Sequence, residues 1–238
     1  MNRKQLYKCI KSLLPKKSGI IVIHSSIPHL VSSNENILWD LGYTFKLLSE
    51  EGWTIVLPSF TFSFCKEGNF DLVNSASEVG ILSDFCFKNV DGFVRTKHPI
   101  YSFVSIGKLS NKLNSANTIK AFGKNTIFEI FEKNNATIMM LGCGWEYNTF
   151  FHHFEEIHKV PYRYNKVFSG RIIENKKVKN IKSTMFVRDS NINAINDFSE
   201  VILKLKKNRL IQTQSDFKLP IESCQAKDIA YFCNNNLK

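Results

Sequence analysis

The sequence predicts an α/β domain, three layers α/β/α around a mixed sheet, with an antiparallel extension in its C-terminal third. Three observations carry that prediction. Short apolar runs rich in β-branched residues, too short to be buried helices, recur at 19–24, 54–57, 103–106 and 137–141. Segments with apolar residues at helical spacing stand between them, and such alternation implies a sheet with helices on both faces. The stretch VFSGRIIENKKVKNIKSTMFV (167–187) breaks the alternation and reads as a hairpin turning near Asn175-Lys176. No repeat, low-complexity tract or long linker interrupts the pattern, so residues 1–238 read as a single domain.

Each element has a local reason. Leu6, Ile10, Leu13 and Leu14 share a helical face, and Pro15 ends that helix. The strand at 19–24 follows. Ser33 or Asn34 can cap a helix over about 35–50. Pro58 stops the strand at 54–57. Residues 79–88 read as a helix, 103–106 as a strand, and Asn125 can cap a helix over 126–133. The strand at 137–141 leads through Gly142-Cys143-Gly144 into a helix that Asn148 can cap. Amphipathic helices are expected at 197–207 and 224–234.

Composition narrows the function. The chain has 43% hydrophobic residues, enough for one substantial core. Its longest apolar runs are too short to cross a bilayer, and the basic N-terminus lacks the apolar core of a signal peptide, so a soluble cytoplasmic protein is expected. The six cysteines form no C-x-x-C pair and read as free thiols. The net charge is +11, and residues 159–209 hold 13 Lys and Arg against 4 Asp and Glu. That excess suggests an anionic partner such as a nucleotide or phosphorylated cofactor. Nucleic-acid binding is the alternative from another class, but the lysines lack the aromatic interleaving of RNA-binding modules, and no nucleic acid is expected as partner.

The densest chemistry is GCGWEYNTFFHHFEE (142–156). A strand end followed by a helix N-terminus is where α/β sheets bind ligands. Thr149, His152 and Glu155 are spaced i, i+3, i+6 along one face. A carboxylate beside an imidazole holds its tautomer and raises its basicity, and a threonine hydroxyl one turn earlier can donate to an oxyanion. His153 with Glu156 makes a competing pair on a neighbouring face, and spacing alone leaves the choice open. The pattern lacks the i, i+4 His–His geometry of zinc helices, and no metal is expected. Other strand-end loops offer polar groups: His24-Ser25-Ser26, PSFTF (58–62), RTKHPIYS (95–102) and AFGKNT (121–126).

These motifs together resemble the aminoglycoside 3-N-acetyltransferase family. The matching stretches are IVIHSS (21–26), LPSFTF (57–62), VGILSDFCF (79–87), VRTKHPIYS (94–102), FGKNTIF (122–128), LGCGWEYNTFFHHFEE (141–156) and VPYR (160–163). The resemblance implies acyl-CoA as donor, acetyl or longer, and an amine as acceptor, reacting without an acyl-enzyme. It implies His152 as base, Glu155 as its carboxylate partner and Thr149 as stabiliser of the tetrahedral intermediate. It implies that Ser25, Ser26, Thr61, His98, Ser102, Gly123 and Thr126 line the CoA groove. Asp71 and Glu156, with Glu146, are candidates for the acceptor side. The turn after His24-Ser25-Ser26 and Thr126-Ile127 depart from the family pattern. Aminoglycosides are polycations and this chain is basic, so the expected acceptor is a nucleotide-linked amino sugar. The alternative is an aminoglycoside, as in antibiotic resistance.

Overall fold

The computed structural model describes residues 3–29, 36–193, 197–215 and 220–237. The strands are β1 (Ile20–Ser25), β2 (Thr54–Pro58), β3 (Asn69–Asp71), β4 (Val94–Arg95), β5 (Phe103–Ile106), β6 (Thr137–Leu141), β7 (Arg163–Glu174), β8 (Lys177–Arg188), β9 (Gln212–Gln214) and β10 (Ile221–Gln225). The helices are α1 (Arg3–Ser12), α2 (Ile37–Glu50), α3 (Phe64–Glu67), α4 (Ile81–Asn89), α5 (Ser110–Asn114), α6 (Ile127–Lys133), α7 (Phe151–His158), α8 (Ser199–Lys207) and α9 (Ala226–Asn236). The main sheet has the order β4-β5-β2-β1-β6-β10-β9. Its β2-β1-β6 centre is parallel, while β5 and β10 run antiparallel to their neighbours.

Strand alternation builds two cores. Ile21, Ile23, Ile55, Leu57, Val104, Ile106, Met139 and Leu141 face α1, α2 and α4. Ile20, Val22, Val56, Phe103, Ile138 and Met140 face the aromatic layer under α6, α7, α8 and α9. Each fully buried Ile, Leu or Phe stabilises the fold by about 1.5–3 kcal/mol. Phe103 sits edge-on to Phe60, Phe128 and Phe131 at 5.2, 5.5 and 5.5 Å, which fixes loop 59–62 and α6 to the sheet.

The hairpin turn stands where the sequence places it, and the structure departs from expectation at other points. The hairpin β7–β8 turns at Asn175 and Lys176, both with positive φ (49° and 64°), the signature of a two-residue turn matched to strand twist. It does not extend the main sheet. It pairs with β3 in a separate three-stranded sheet, where Gly68 O accepts the Arg171 amide at 2.7 Å. β10 carries polar residues and gives no apolar run. Its Ser223 Oγ donates to Leu13 O at 2.8 Å, and its Glu222 accepts from Trp145 Nε1 at 2.7 Å. Asn125 does not cap α6: it is at φ 64°, and Thr126 takes the cap position. The Ser33 and Asn34 caps lie outside the described residues.

Gly107 ends β5 at φ 123°, a conformation that L side chains rarely adopt. A Cβ there would collide with the Trp53 carbonyl oxygen and reach 2.8 Å from Thr54 Cα. Both are backbone atoms at the start of β2 and cannot swing aside. Gly107→Ala is therefore expected to lower stability by ~3 kcal/mol or more, read as a fall in the urea midpoint. An unchanged midpoint would mean this strand junction is loose.

Candidate active site

The loop that follows β1 and the loop that follows β6 meet where the sheet reverses its order of growth. β1 connects to β2 on one side through α2, and the chain later returns to β6 on the other side after α6. Such a switch point leaves a crevice at the carboxyl ends of the strands. A cavity of about 630 Å³ lies there. Its walls come from His24 and Ser25 at the end of β1 and Ser26 after it, Phe60 and Phe62 after β2, and Val79 and Gly80 before α4. Gly142, Cys143 and Gly144 after β6 complete it, with Glu146, Thr149 and His152.

His152 stands on α7 with a quarter of its side chain exposed. Its Nδ1 meets Glu155 Oε2 at 2.5 Å, one helical turn on. Glu155 is fully buried. Its Oε1 accepts the Tyr162 hydroxyl at 2.9 Å, and Arg163 Nε lies 3.0 Å from Oε2 as an ion pair, out of hydrogen-bond alignment. Burial alone would push the Glu155 carboxyl up. The His152 hydrogen bond and charge, with Arg163 and Tyr162, outweigh it and hold the group below its ordinary value. Burial, then the charge of Glu155, pushes Tyr162 up to about 12, so it stays a donor. Phe122 and Phe198 approach the His152 ring edge-on at 5.7 and 6.1 Å and restrict its rotation. With Nδ1 committed to Glu155, Nε2 is the ring atom left for a substrate proton. Cys143 also lines the cavity, but burial pushes its thiol up to about 12, so it is no thiolate nucleophile at neutral pH.

The family model for aminoglycoside 3-N-acetyltransferase matches residues 45–238, more than three quarters of the chain. The chain belongs to the aminoglycoside 3-N-acetyltransferase family. Membership makes it an enzyme, an acyl-CoA-dependent N-acyltransferase. Solved structures of similar fold include AAC-IIIb in a binary complex with CoASH, 15% identical with TM-score 0.79 over 99% of this chain and 95% of that one. They include AAC-VIa bound to sisomicin, 15% identical with TM-score 0.82 over 100% and 97%. The YokD protein from Bacillus subtilis is 18% identical, with TM-score 0.79 over 98% and 92%. At these identities the likeness speaks for the fold. A search of curated proteins finds no match.

Within this acetyltransferase-family fold the predicted residues divide. Ser25, Ser26, Thr149 and His152 line the cavity together, backed by Glu155. Thr149 lies ahead of α7 rather than on it, because Asn148 Oδ1 accepts the Phe150 amide and the helix starts at Phe151. Thr61 and Ser102 do not reach the cavity wall. Both bind the buried Arg95, Ser102 Oγ to Nε and Thr61 Oγ1 to Nη2, each at 3.0 Å, in a knot that includes Ser59 O. His98 is buried in a turn, where Nδ1 accepts the Ile100 and Tyr101 amides at 3.2 and 3.0 Å. Gly123 donates its amide to His153 Nδ1 at 3.2 Å, and Thr126 Oγ1 donates to Gly123 O at 2.7 Å. His153 is fully buried and pairs with Glu132 at 3.1 Å, not with Glu156. Asp71 caps its own turn through the Val73 and Asn74 amides, and Glu156 is held by Asn165. Glu146 reaches the cavity.

Sequence reasoning did not assign Tyr162, Arg163 or His24 to the site. The VPYR run was visible, but nothing in its spacing shows that it folds back on Glu155. Among the described residues no His, Cys, Asp and Glu group could hold a metal, and no helix is long and apolar enough to cross a membrane.

Proposed function

We propose that this protein transfers an acetyl group from acetyl-CoA to an amine of an aminoglycoside-type acceptor, with His152 as general base. The single observation that carries the reading is the His152–Glu155 pair at the cavity wall, its carboxylate buried and held by Tyr162 and Arg163. An amine is protonated at neutral pH and must lose a proton to attack a thioester. The ammonium first gives up one proton to solvent; His152 Nε2 takes a second from the nitrogen as the C–N bond forms, and Glu155 stabilises the imidazolium. The same ring returns the proton to the thiolate when the C–S bond breaks. Such acid–base help is worth roughly 10²–10⁴-fold. Thr149 offers its hydroxyl to the charge that develops on the acyl oxygen. Ser25 and Ser26 supply hydroxyls, and Leu57, Phe60, Phe62 and Leu82 apolar surface, to an extended amide chain such as the pantetheine arm of CoA.

The acceptor follows from the local charge. The nucleotide-linked acceptor rests on the net charge, but none of the described residues lining the cavity is Lys or Arg. Among the described lining residues Glu146 is the one carboxylate, so the field at the site suits a cationic amine even though the whole chain is basic. The lysines of the basic stretch 159–209 sit instead mostly on the β7–β8 hairpin and on α8. The family match points the same way and lends no support to the nucleotide sugar.

A thiol-release assay tests the reading. Purified protein with acetyl-CoA is expected to release CoA with aminoglycosides and not with nucleotide-linked amino sugars. Glu146→Gln is expected to raise KM for the aminoglycoside by about 5- to 10-fold, with kcat little changed. Turnover confined to nucleotide-linked amino sugars would overturn the acceptor assignment.

A further inference from the structure

The last residue but one of β1 carries a histidine that the reaction above does not use. His24 is 6% exposed and forms part of the cavity wall. Its Nε2 accepts the backbone N–H of Thr149 at 3.2 Å, across a sequence separation of 125. Nε2 accepts, so Nδ1 carries the ring proton. That atom is buried and has no hydrogen-bond partner. An orphaned buried donor costs about 1–3 kcal/mol, and each such group asks for an explanation.

We propose that His24 is a positioning residue of the acyl transfer, fixing Thr149 through its backbone and so setting where the Thr149 hydroxyl stands in the cavity. The inference rests on the acyltransfer reading of the site. The Thr149 amide is spent on His24, which leaves Oγ1 as the donor this residue can offer a substrate. The Thr149 carbonyl accepts the His152 amide at 3.1 Å. One residue therefore hangs from His24 by its N–H and leads the backbone into the catalytic helix by its C=O. The anchor itself is rigid: Ser25 pairs with Leu141 across β1 and β6, and Ser26 donates to Leu141 O at 3.0 Å. Burial holds the imidazole down at about 4, so it remains a neutral acceptor at every pH where an amine can react. A hydroxyl misplaced by an ångström loses most of its value to a developing oxyanion.

The test is a kinetic cycle with a structural readout. His24→Ala is expected to lower kcat roughly 10- to 100-fold, with KM for acetyl-CoA and acceptor within about threefold. His24→Gln, whose amide oxygen reaches the Nε2 position, should recover much of kcat, and His24→Asn, whose oxygen falls short, should not. On a Thr149→Ala background, His24→Ala should cost no more than about twofold, because it acts through the residue already removed. Unchanged kcat in His24→Ala and His24→Asn, or a loss that multiplies in full on Thr149→Ala, would overturn the proposal. If His24→Ala does not fold, the Gln and Asn variants decide alone. Hydrogen exchange at the Thr149 amide, followed by NMR, separates this proposal from the function it rests on. Faster exchange in His24→Asn supports the anchor even if wild type acetylates no amine, and unchanged exchange overturns it even if wild type is active.

Discussion

Replacing His152 by alanine is expected to cut kcat roughly 10²–10⁴-fold while CoA binding stays within a few-fold of wild type. The loss is confined to the chemical step because, among the described residues, the ring's hydrogen-bond partner is Glu155, and Phe122, Phe198 and the cavity flank it. A quarter of the side chain is exposed, so truncation opens space continuous with the cavity rather than a sealed void. Stability should fall by about 1–3 kcal/mol, because the buried Glu155 loses the hydrogen bond that does most to offset its burial, and added imidazole should restore part of the rate. His153→Ala should behave in the opposite way. That ring is fully buried, accepts the Gly123 amide and meets Glu132, so its removal strands a donor and leaves a sealed hole. A stability loss of about 2–4 kcal/mol with kcat retained in the folded protein is expected. Calorimetric CoA titration, urea unfolding and thiol release separate the two. Full activity in His152→Ala would remove the base from the mechanism.

That contrast marks the boundary of what the chain reveals on inspection. Spacing puts His152 near Glu155 and His153 near Glu156 with equal force, since both pairs are three residues apart. Only the packing of α7, which points His153 into the aromatic layer of Phe128, Phe150 and Phe154, breaks the tie. The family resemblance reaches the same choice through pattern. The parallel strands were legible because burial on both faces demands unbroken apolar runs. β10 was not, because Glu222 and Ser223 interrupt it and find their partners in Trp145 and Leu13, far away in sequence. The loop residues Thr61 and Ser102 carry the right chemistry for a ligand, but the buried Arg95 claims them. Burial pushes that guanidinium down to about 10, and oxygens from several loops compensate it. Net charge and local charge point to different acceptors for a related reason. Screening over about 8–10 Å makes the cavity respond to Glu146 at its wall more than to lysines outside its lining.

Glu155→Gln is expected to damage both catalysis and folding, and the pH dependence of stability, read beside kcat, tells the roles apart. Glutamine keeps the shape and an acceptor for Tyr162 but removes the charge that His152 and Arg163 face. Arg163 is itself nine-tenths buried, so the variant leaves a cation without its counter-charge, a defect that costs about 3–5 kcal/mol. The sign of the pH effect is fixed by the carboxyl. Its folded value is held below the ordinary 4.5, so the ionised group stabilises the native state above that pH. The contribution fades as pH falls through the lower folded value, where the carboxyl protonates even in the native protein. The stability gap between wild type and Glu155→Gln should therefore be widest near neutrality and close in acid. Catalysis should fall roughly 10²–10⁴-fold, since the imidazolium formed by proton abstraction loses its partner and the Nδ1 tautomer is no longer enforced. A gap that stays constant from neutral to acid pH, with kcat retained, would reduce Glu155 to a packing residue and leave His152 to act alone.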